Sequence, residues 1–282
     1  MELRAKTLAT GFAFPEGPRW HNGQLWFSDQ HGGSVHILSP DGTEVESFAV
    51  PGRPSGMGWL PDGDLLVVSM LERRLYRRHN GALSQYAELG ALHPGNSNDM
   101  VVDKNGRAYA GNIGFDFDAG ETFTPTVIAL VSPDGTVSVA AGEIDCPNGS
   151  VITPGGRTLI VAESMGKRLT EFDIGADGKL TNRRVFADLG ERVPDGICLD
   201  TEGCVWVAAP FAGTALRVRR GGEIADSVPI EGAAPYACML GGADGRDLFL
   251  CCATHHEPHL TVQVRTGRID VARAPAPGAG WP

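Results

Sequence analysis

The sequence repeats one pattern six times along almost its whole length. Each repeat has a proline or small residue, an apolar segment of strand length, a glycine-containing turn and a second apolar or β-branched segment. The repeats start at Pro15, Pro54, Ser97, Pro147, Pro194 and Pro235. Spacings of 39, 43, 50, 47 and 41 residues each hold about four strands of five or six residues. The repeat predicts an all-β, six-bladed β-propeller with four antiparallel strands per blade, as a single domain over residues 1–282.

Turn sequences and the chain ends are consistent with this fold. Glycine-containing turns recur where the third strand of a blade should pass to the fourth. They are SPDGT at 39–43 and 132–136, GADGK at 175–179 and RRGGE at 219–223. The segments LRAKTLATGF and LTVQVRTGRIDVAR flank the repeats, and we expect them to pair in one blade and close the ring. A two-sheet sandwich is the alternative, but the even spacing of six repeats disfavours it.

The charge balance restricts the kinds of partner. Lys and Arg total 24 against 34 Asp and Glu, a formal net charge of −10, so we expect no binding to nucleic acid or to an anionic membrane surface. No apolar run approaches the roughly 20 residues of a membrane span. The start, MELRAKTLATGF, lacks the apolar core and cleavage site of a signal peptide. We therefore expect a cytoplasmic protein.

The six cysteines lie in apolar segments without the CxxC spacing of a metal site. They are Cys146, Cys198, Cys204, Cys238, Cys251 and Cys252. We interpret them as buried thiols rather than disulfides.

Polar residues recur near the starts of four repeats, beside glycine or small residues. They are Glu16, Asn98 with Asp99, Asn148 and Asp195. In a propeller the starts of the innermost strands share one face with the ends of the second strands, so these oxygen atoms should converge on the channel. Two carboxylates and two amides suit a hard divalent cation, Ca²⁺ first, with Zn²⁺, Mg²⁺ or Mn²⁺ as alternatives. Each residue alone also fits an ordinary turn; their recurrence at one phase favours the ligand interpretation, with Asp99 as a hydrogen-bond partner.

The flanking residues of Glu16 explain how an acid could be held in place there. Pro15 restricts the backbone before it, and the Gly17-Pro18 pair restricts the backbone after it. An unpaired acid in the channel would be costly, whereas a metal-bound acid is satisfied.

Several motifs, in order, resemble the senescence marker protein, gluconolactonase and luciferin-regenerating enzyme family. They are EGPRW, SNDMVVDKNGRAYAGN, PNGSVI, TNRRVFADL, VPDGICLDTEGCVWVA and a late Cys238 before Gly241-Gly242. Members of that family are six-bladed propellers that bind one divalent cation at the channel mouth, and many hydrolyse lactones. The resemblance implies that Glu16, Asn148 and Asp195 are metal ligands, that Asp195 is the general base and that Asn98 contacts substrate or the metal's water.

Two further positions matter for the family's sugar-binding side, and one of them departs from the family pattern. Asn96 stands where the family has an arginine, and the family's acidic residue falls, by residue count, at Asp116. Both positions belong to the sugar-binding side, so the resemblance makes them candidate substrate contacts while questioning a sugar lactone.

The ends of the second strands supply the rest of the mouth. The apolar residues there are Phe115, Phe117, Phe123, Met165 and Phe211. They suggest a substrate less polar than a sugar lactone, although such residues also pack loops. His255 or His256 could hydrogen-bond substrate; together with His259 they fit a hydrated loop cluster better than a second metal site.

Metal-assisted hydrolysis of a small lactone is the function that this pattern favours. No Gly-x-Ser-x-Gly motif of a serine hydrolase occurs. Two alternatives stay open: a phosphotriesterase that uses the same cation, and a non-catalytic propeller that binds a small molecule or a protein and is stabilised by metal.

Overall fold

The computed structural model describes residues 2–116 and 119–281, and over these residues it confirms the six-bladed β-propeller. The described chain forms six antiparallel sheets of four strands. The first strands of neighbouring blades contact one another around the ring, so they line the central channel. Phe117, one of the apolar residues assigned to the mouth, lies outside the described residues.

The strands of the first three blades follow one another in the chain. The first blade contains β2 (Pro15–His21), β3 (Gln24–Asp29), β4 (Ser34–Leu38) and β5 (Glu44–Ala49), after β1 (Ala5–Phe12). The second contains β6 (Pro54–Trp59), β7 (Leu65–Ser69), β8 (Arg74–His79) and β9 (Ala82–Glu88). The third contains β10 (Ser97–Val102), β11 (Ala108–Asn112), β12 (Thr126–Val131) and β13 (Val137–Ile144).

The other three blades have the same order, and the last is completed by β1. The fourth contains β14 (Pro147–Ile152), β15 (Thr158–Glu163), β16 (Arg168–Ile174) and β17 (Leu180–Asp188). The fifth contains β18 (Ile197–Leu199), β19 (Val205–Ala209), β20 (Thr214–Val218) and β21 (Ile224–Pro229), with a 3₁₀ turn at Pro210–Ala212. The sixth contains β22 (Ala234–Gly241), β23 (Asp247–Ala253), β24 (Gly267–Arg273) and β1.

The ring closes as the sequence predicts, with one difference. Strand β1 pairs antiparallel with β24, and Ala5 lies opposite Ala272. The first part of the C-terminal segment is not a strand, because α1 (Pro258–Val264) occupies it. Pro258 suits the first turn of a helix, and Arg265, in the left-handed conformation, ends it. Only the part from Gly267 onward pairs with β1.

Apolar side chains pack between neighbouring blades and form the core. Val151 and Ile160 of the fourth blade, for example, belong to one buried cluster with Val205 and Val207 of the fifth. The four predicted turns all connect third to fourth strands. All six cysteines are buried free thiols, as predicted. Among the described residues, no helix is long and apolar enough to cross a membrane.

Close approach of the inner strands depends on glycine at two positions beside the candidate ligands. A Cβ on Gly17, whose φ is +52°, would lie 2.9 Å from the Ser55 carbonyl oxygen. A Cβ on Gly196 would lie 2.4 Å from the Cβ of Ala237. Side chains at these positions would push neighbouring blades apart, so the glycines set the narrow spacing at the channel mouth.

Candidate metal and substrate site

A cavity of about 240 Å³ lies at one mouth of the channel, where the first strands begin and the second strands end. Its lining includes Glu16, Asn98, Asn148 and Asp195 from the starts of four blades. Residues from the ends of second strands or the loops that follow them complete it: Gln30, Met70, Ile113, Phe115, Ser164, Met165, Pro210, Phe211 and His256. Strand starts and strand exits therefore share one face, as the repeat predicted.

The structure does not bring every predicted substrate residue to this cavity. Asn96, Asp116 and His255 are not among the described lining residues, whereas Phe115 and His256 are. Asp116 is exposed, and its Oδ1 accepts a hydrogen bond of 2.9 Å from the amide of Ala119. Its own amide donates to Glu121 Oε2. The Asp116 side chain thus organises its own loop, outside the cavity.

One position in the repeat supplies a side chain at the channel in all six blades. It directly follows the start of each repeat, and its occupants are Glu16, Ser55, Asn98, Asn148, Asp195 and Tyr236. In five blades the pairing of first and second strand shifts register there, as between Glu16 and Arg19 in the first blade. In the fifth blade the strand begins only after Asp195, at Ile197. Such irregularities interrupt the alternation of side chains between the two faces of a sheet, and they direct these side chains toward the channel.

Glu16 is a buried acid whose surroundings disfavour its ionised form. Its carboxylate accepts a short hydrogen bond from the amide of Gly17. Burial, and then the negative charges of Asp195 and Asp99, raise the pKa of Glu16 well above its ordinary value. Without a cation, this carboxyl group therefore tends to keep its proton.

Asp195 lies at the same centre and is held by its backbone and by Asn148. Its amide donates to the Ala208 carbonyl at 2.9 Å, and the amide of Gly196 donates to the Tyr236 carbonyl at 2.8 Å. Burial raises the pKa of Asp195 to about 7, although hydrogen bonds with Asn148 and Glu16 oppose this shift. The aspartate can therefore exchange a proton near neutral pH.

The amide of Asn148 is oriented by its neighbours. Its Nδ2 donates to Ser164 Oγ at 3.2 Å, and a hydrogen bond from its side chain lowers the pKa of Asp195. Ser164 Oγ in turn donates to the Pro194 carbonyl at 2.7 Å. Because the amide nitrogen only donates, the carbonyl oxygen Oδ1 is the Asn148 side-chain atom that can bind a cation.

A third acid, Asp99, is paired rather than available. Arg19 Nη2 lies 2.6 Å from Asp99 Oδ1 and 2.7 Å from the Met100 carbonyl oxygen. Arg19 also donates to the carbonyls of Met57 and Pro18, each at 2.8 Å. This agrees with the sequence interpretation of Asp99 as a hydrogen-bond partner, and the arginine partly offsets the charge near Glu16.

The donor set fits a hard cation. When both are ionised, Glu16 and Asp195 repel each other at a site where burial already disfavours charge, and a divalent cation would relieve both the repulsion and the loss of solvation. Carboxylate and amide oxygens are the ligands that calcium prefers. Within residues 2–116 and 119–281, no group of three or more His, Cys, Asp or Glu side chains is placed to bind a metal. The candidate site instead has two carboxylates and one amide, so a bound ion would complete its shell with water or substrate.

A known protein family matches most of the blades of this chain. The family model described as SMP-30/Gluconolactonase/LRE-like region matches residues 14–254. The chain belongs to this family. The match begins just before Glu16 and ends at Thr254, so it includes all of the candidate ligands.

Three relatives of this family member illustrate the similarity. A 6-deoxy-6-sulfogluconolactonase from Pseudomonas putida is 25% identical over 267 residues, which cover 92% of this chain and 89% of that protein. Regucalcin from Danio rerio is 29% identical over 160 residues; the match spans about half of each chain, 55% and 54%. The crystal structure of a calcium-binding protein, regucalcin, from Agrobacterium tumefaciens has a TM-score of 0.81 and 23% identity, and the match covers 99% of this chain and 97% of that one. This last similarity shows the common fold.

Two residues beside the site escaped the sequence analysis. Tyr236 follows Pro235 at the same phase as Glu16, and the repeat could have identified it. The sequence analysis considered only carboxylate and amide oxygens as ligands and therefore did not include the tyrosine. Arg19 stands in the quoted EGPRW motif, but nothing in its spacing predicts a pairing with Asp99, 80 residues away.

Proposed function

We propose that this family member hydrolyses a small lactone and binds one divalent cation, calcium first, through Glu16, Asn148 and Asp195. The observation that carries the proposal is the pair of acids, Glu16 and Asp195, held together in one cavity with both pKa values raised. The Pseudomonas putida relative is named a lactonase and the Agrobacterium tumefaciens structure a calcium-binding protein, and both names support the proposal. Because the ligands come from the first, fourth and fifth blades, we also propose that the propeller acts as a single domain.

The cation would polarise the lactone carbonyl and stabilise negative charge on its oxygen. Asn98 lies in the same cavity, and its Oδ1 is 3.5 Å from Ser55 Oγ. This contact leaves the Nδ2 group of Asn98 to donate a hydrogen bond to the substrate. His256 and Phe115 contact the substrate from the strand exits in this proposal.

Asp195 acts on the attacking water. It removes a proton as the water oxygen bonds to the carbonyl carbon, and the ring C–O bond then breaks. The same proton passes to the departing ring oxygen, so one water and one lactone give one hydroxy acid. Burial gives the metal-free carboxyl group a pKa of about 7, and a bound cation would lower this pKa and keep Asp195 ionised, ready to accept the proton of the water.

Two other nucleophile candidates in the cavity are poorly suited to attack. The hydroxyl of Ser164 donates to a backbone carbonyl, so a general base does not hold its proton. Burial raises the pKa of the Cys146 thiol to about 12, which leaves little thiolate at neutral pH. Water is therefore the nucleophile that the cavity favours.

A lactone panel with controlled metal content tests this function. Chelator-treated protein would be assayed by initial rates on γ- and δ-lactones after calcium, zinc, magnesium or manganese is restored separately. Metal-dependent turnover supports the proposal. Turnover of an organophosphate triester alone would favour a phosphotriesterase. Inactivity on both panels, with metal still raising the melting temperature, would favour a binding propeller.

A further inference from the structure

We infer that the cavity selects a neutral lactone with an apolar alkyl or aryl substituent over a polyhydroxylated or anionic one. This inference rests on the proposed function, since it names the substrate class of the same site. It is argued from the apolar side chains that line the cavity together with the candidate ligands.

The cavity is lined by both polar and apolar side chains. Glu16, Asn148 and Asp195 lie together at the channel, where the ester group would bind. The apolar lining residues, called the apolar wall here, include Met70, Ile113, Phe115, Met165, Val193 and Phe211. A lactone with its carbonyl at the acids would therefore place its ring substituent against carbon atoms.

Two residues of this apolar wall are strongly exposed at the mouth. Phe211 is 76% exposed and Met165 is 48% exposed. Phe211 lies in the 3₁₀ turn Pro210–Ala212, which ends at Gly213 in the left-handed conformation. Large apolar side chains exposed at the rim of a cavity are typical of a binding surface for an apolar ligand.

Charge in the cavity argues against an anionic substrate. No lysine or arginine is among the described lining residues, whereas two carboxylic acids, Glu16 and Asp195, are. Arg19, close to Glu16, is already paired with Asp99. A carboxylate or sulfonate on the substituent would thus find no lysine or arginine partner among the described lining residues.

The apolar wall also argues against a sugar ring. Each hydroxyl group placed against it would lose hydrogen bonds to water and gain none from carbon. Each buried methylene would instead improve binding about fourfold. Asn96 and Asp116, the positions that the family resemblance assigns to sugar binding, are not among the described residues that line the cavity.

A homologous series of δ-lactones tests the substrate class. With calcium restored, kcat/KM should rise about fourfold per added side-chain methylene from δ-valerolactone until the cavity is filled. Glucono-δ-lactone should fall below the alkyl lactones. Phe211→Ala and Met165→Ala should each flatten the rise. Val185→Ala, which removes an exposed valine from the outer strand β17, is the matched control and should keep it.

Binding of lactams separates this inference from the proposed reaction, because lactams resist hydrolysis. Calorimetry would compare an alkyl-substituted δ-lactam with gluconolactam in calcium-loaded protein. Preferential binding of the alkyl lactam supports the inference, even if no lactone is hydrolysed and the proposed reaction fails. Turnover of gluconolactone equal to or above that of the alkyl lactones, or a flat series, would overturn the inference while lactone hydrolysis stands. Binding of neither lactam would overturn it as well.

Discussion

Arg19 and Asp99 form a buried ion pair, with Nη2 and Oδ1 2.6 Å apart, that ties the first blade to the third beneath Glu16. Both side chains are almost completely buried, at 3% and 6% exposure. The pair accounts for one of three acids near the channel; Glu16 and Asp195 are the other two, and they form the proposed cation site.

Replacing Arg19 by methionine should destabilise the protein. The change leaves Asp99 buried without its partner, which typically costs about 3 kcal/mol of unfolding free energy. Denaturant unfolding of Arg19→Met measures the loss. The double variant Arg19→Met, Asp99→Asn should recover part of it, because no uncompensated charge remains. Equal stability of the single and the double variant would show that the unpaired charge of Asp99 is not the cause of the loss.

Replacing Asp195 by asparagine should abolish most turnover while metal binding weakens less. Loss of the general base should lower kcat by about 10² to 10⁴-fold, whereas the amide oxygen can still coordinate. Initial rates and metal titration on the same preparation separate the two effects. Asp134→Asn, in an exposed turn, is the matched control. Retained activity in Asp195→Asn would contradict the assigned role.

The metal-free protein should become less stable as the pH rises. The folded-state pKa values of Glu16 and Asp195 are raised, that of Asp195 to about 7. Between the ordinary carboxyl pKa and these values the folded protein binds more protons than the unfolded chain, so metal-free stability falls with increasing pH.

Calcium should therefore raise the melting temperature more at pH 7.5 than at pH 5, because it competes with these protons. At a free concentration 100 times its Kd, it should add about 2.7 kcal/mol. Thermal scans with chelator and with calcium measure the difference. Glu16→Gln should lose most of the calcium effect, and an equal gain at both pH values would contradict the explanation.

His93 should make the protein sensitive to acid. Burial lowers the pKa of His93 to about 4, and its Nδ1 lies 2.8 Å from Ser97 Oγ. In the unfolded chain, His93 takes up a proton below the ordinary histidine pKa. In the folded protein the ring is still neutral at that pH. Stability is thus lost as the pH falls from about 6.5 toward 4.

Urea unfolding at pH 6.5 and pH 5 tests this assignment. Over that interval wild type should lose about 2 kcal/mol more than His93→Gln. His79→Gln, at an exposed histidine, should behave like wild type. An identical pH dependence in His93→Gln and wild type would rule out His93 as the cause.

Much of the fold and the centre of the site could be predicted because both follow the repeat. Strand starts recur at fixed phase, so Glu16, Asn98, Asn148 and Asp195 could be placed on one face before any coordinates. Asp116 was located by counting through a loop, and loop length does not fix where a side chain points. Helix α1 interrupts an otherwise strand-like sequence, and the pairing of Arg19 with Asp99 depends on packing between blades.

The central claim is that one cation, held by Glu16, Asn148 and Asp195, enables lactone hydrolysis. The most direct test is to titrate calcium into chelator-treated protein and to follow bound metal and initial rate of an alkyl δ-lactone together. We predict a rate that rises in proportion to bound metal and saturates at one ion per chain, with Glu16→Gln strongly impaired in both. Full hydrolysis by metal-free protein, or tight metal binding unaffected by Glu16→Gln, would contradict the claim.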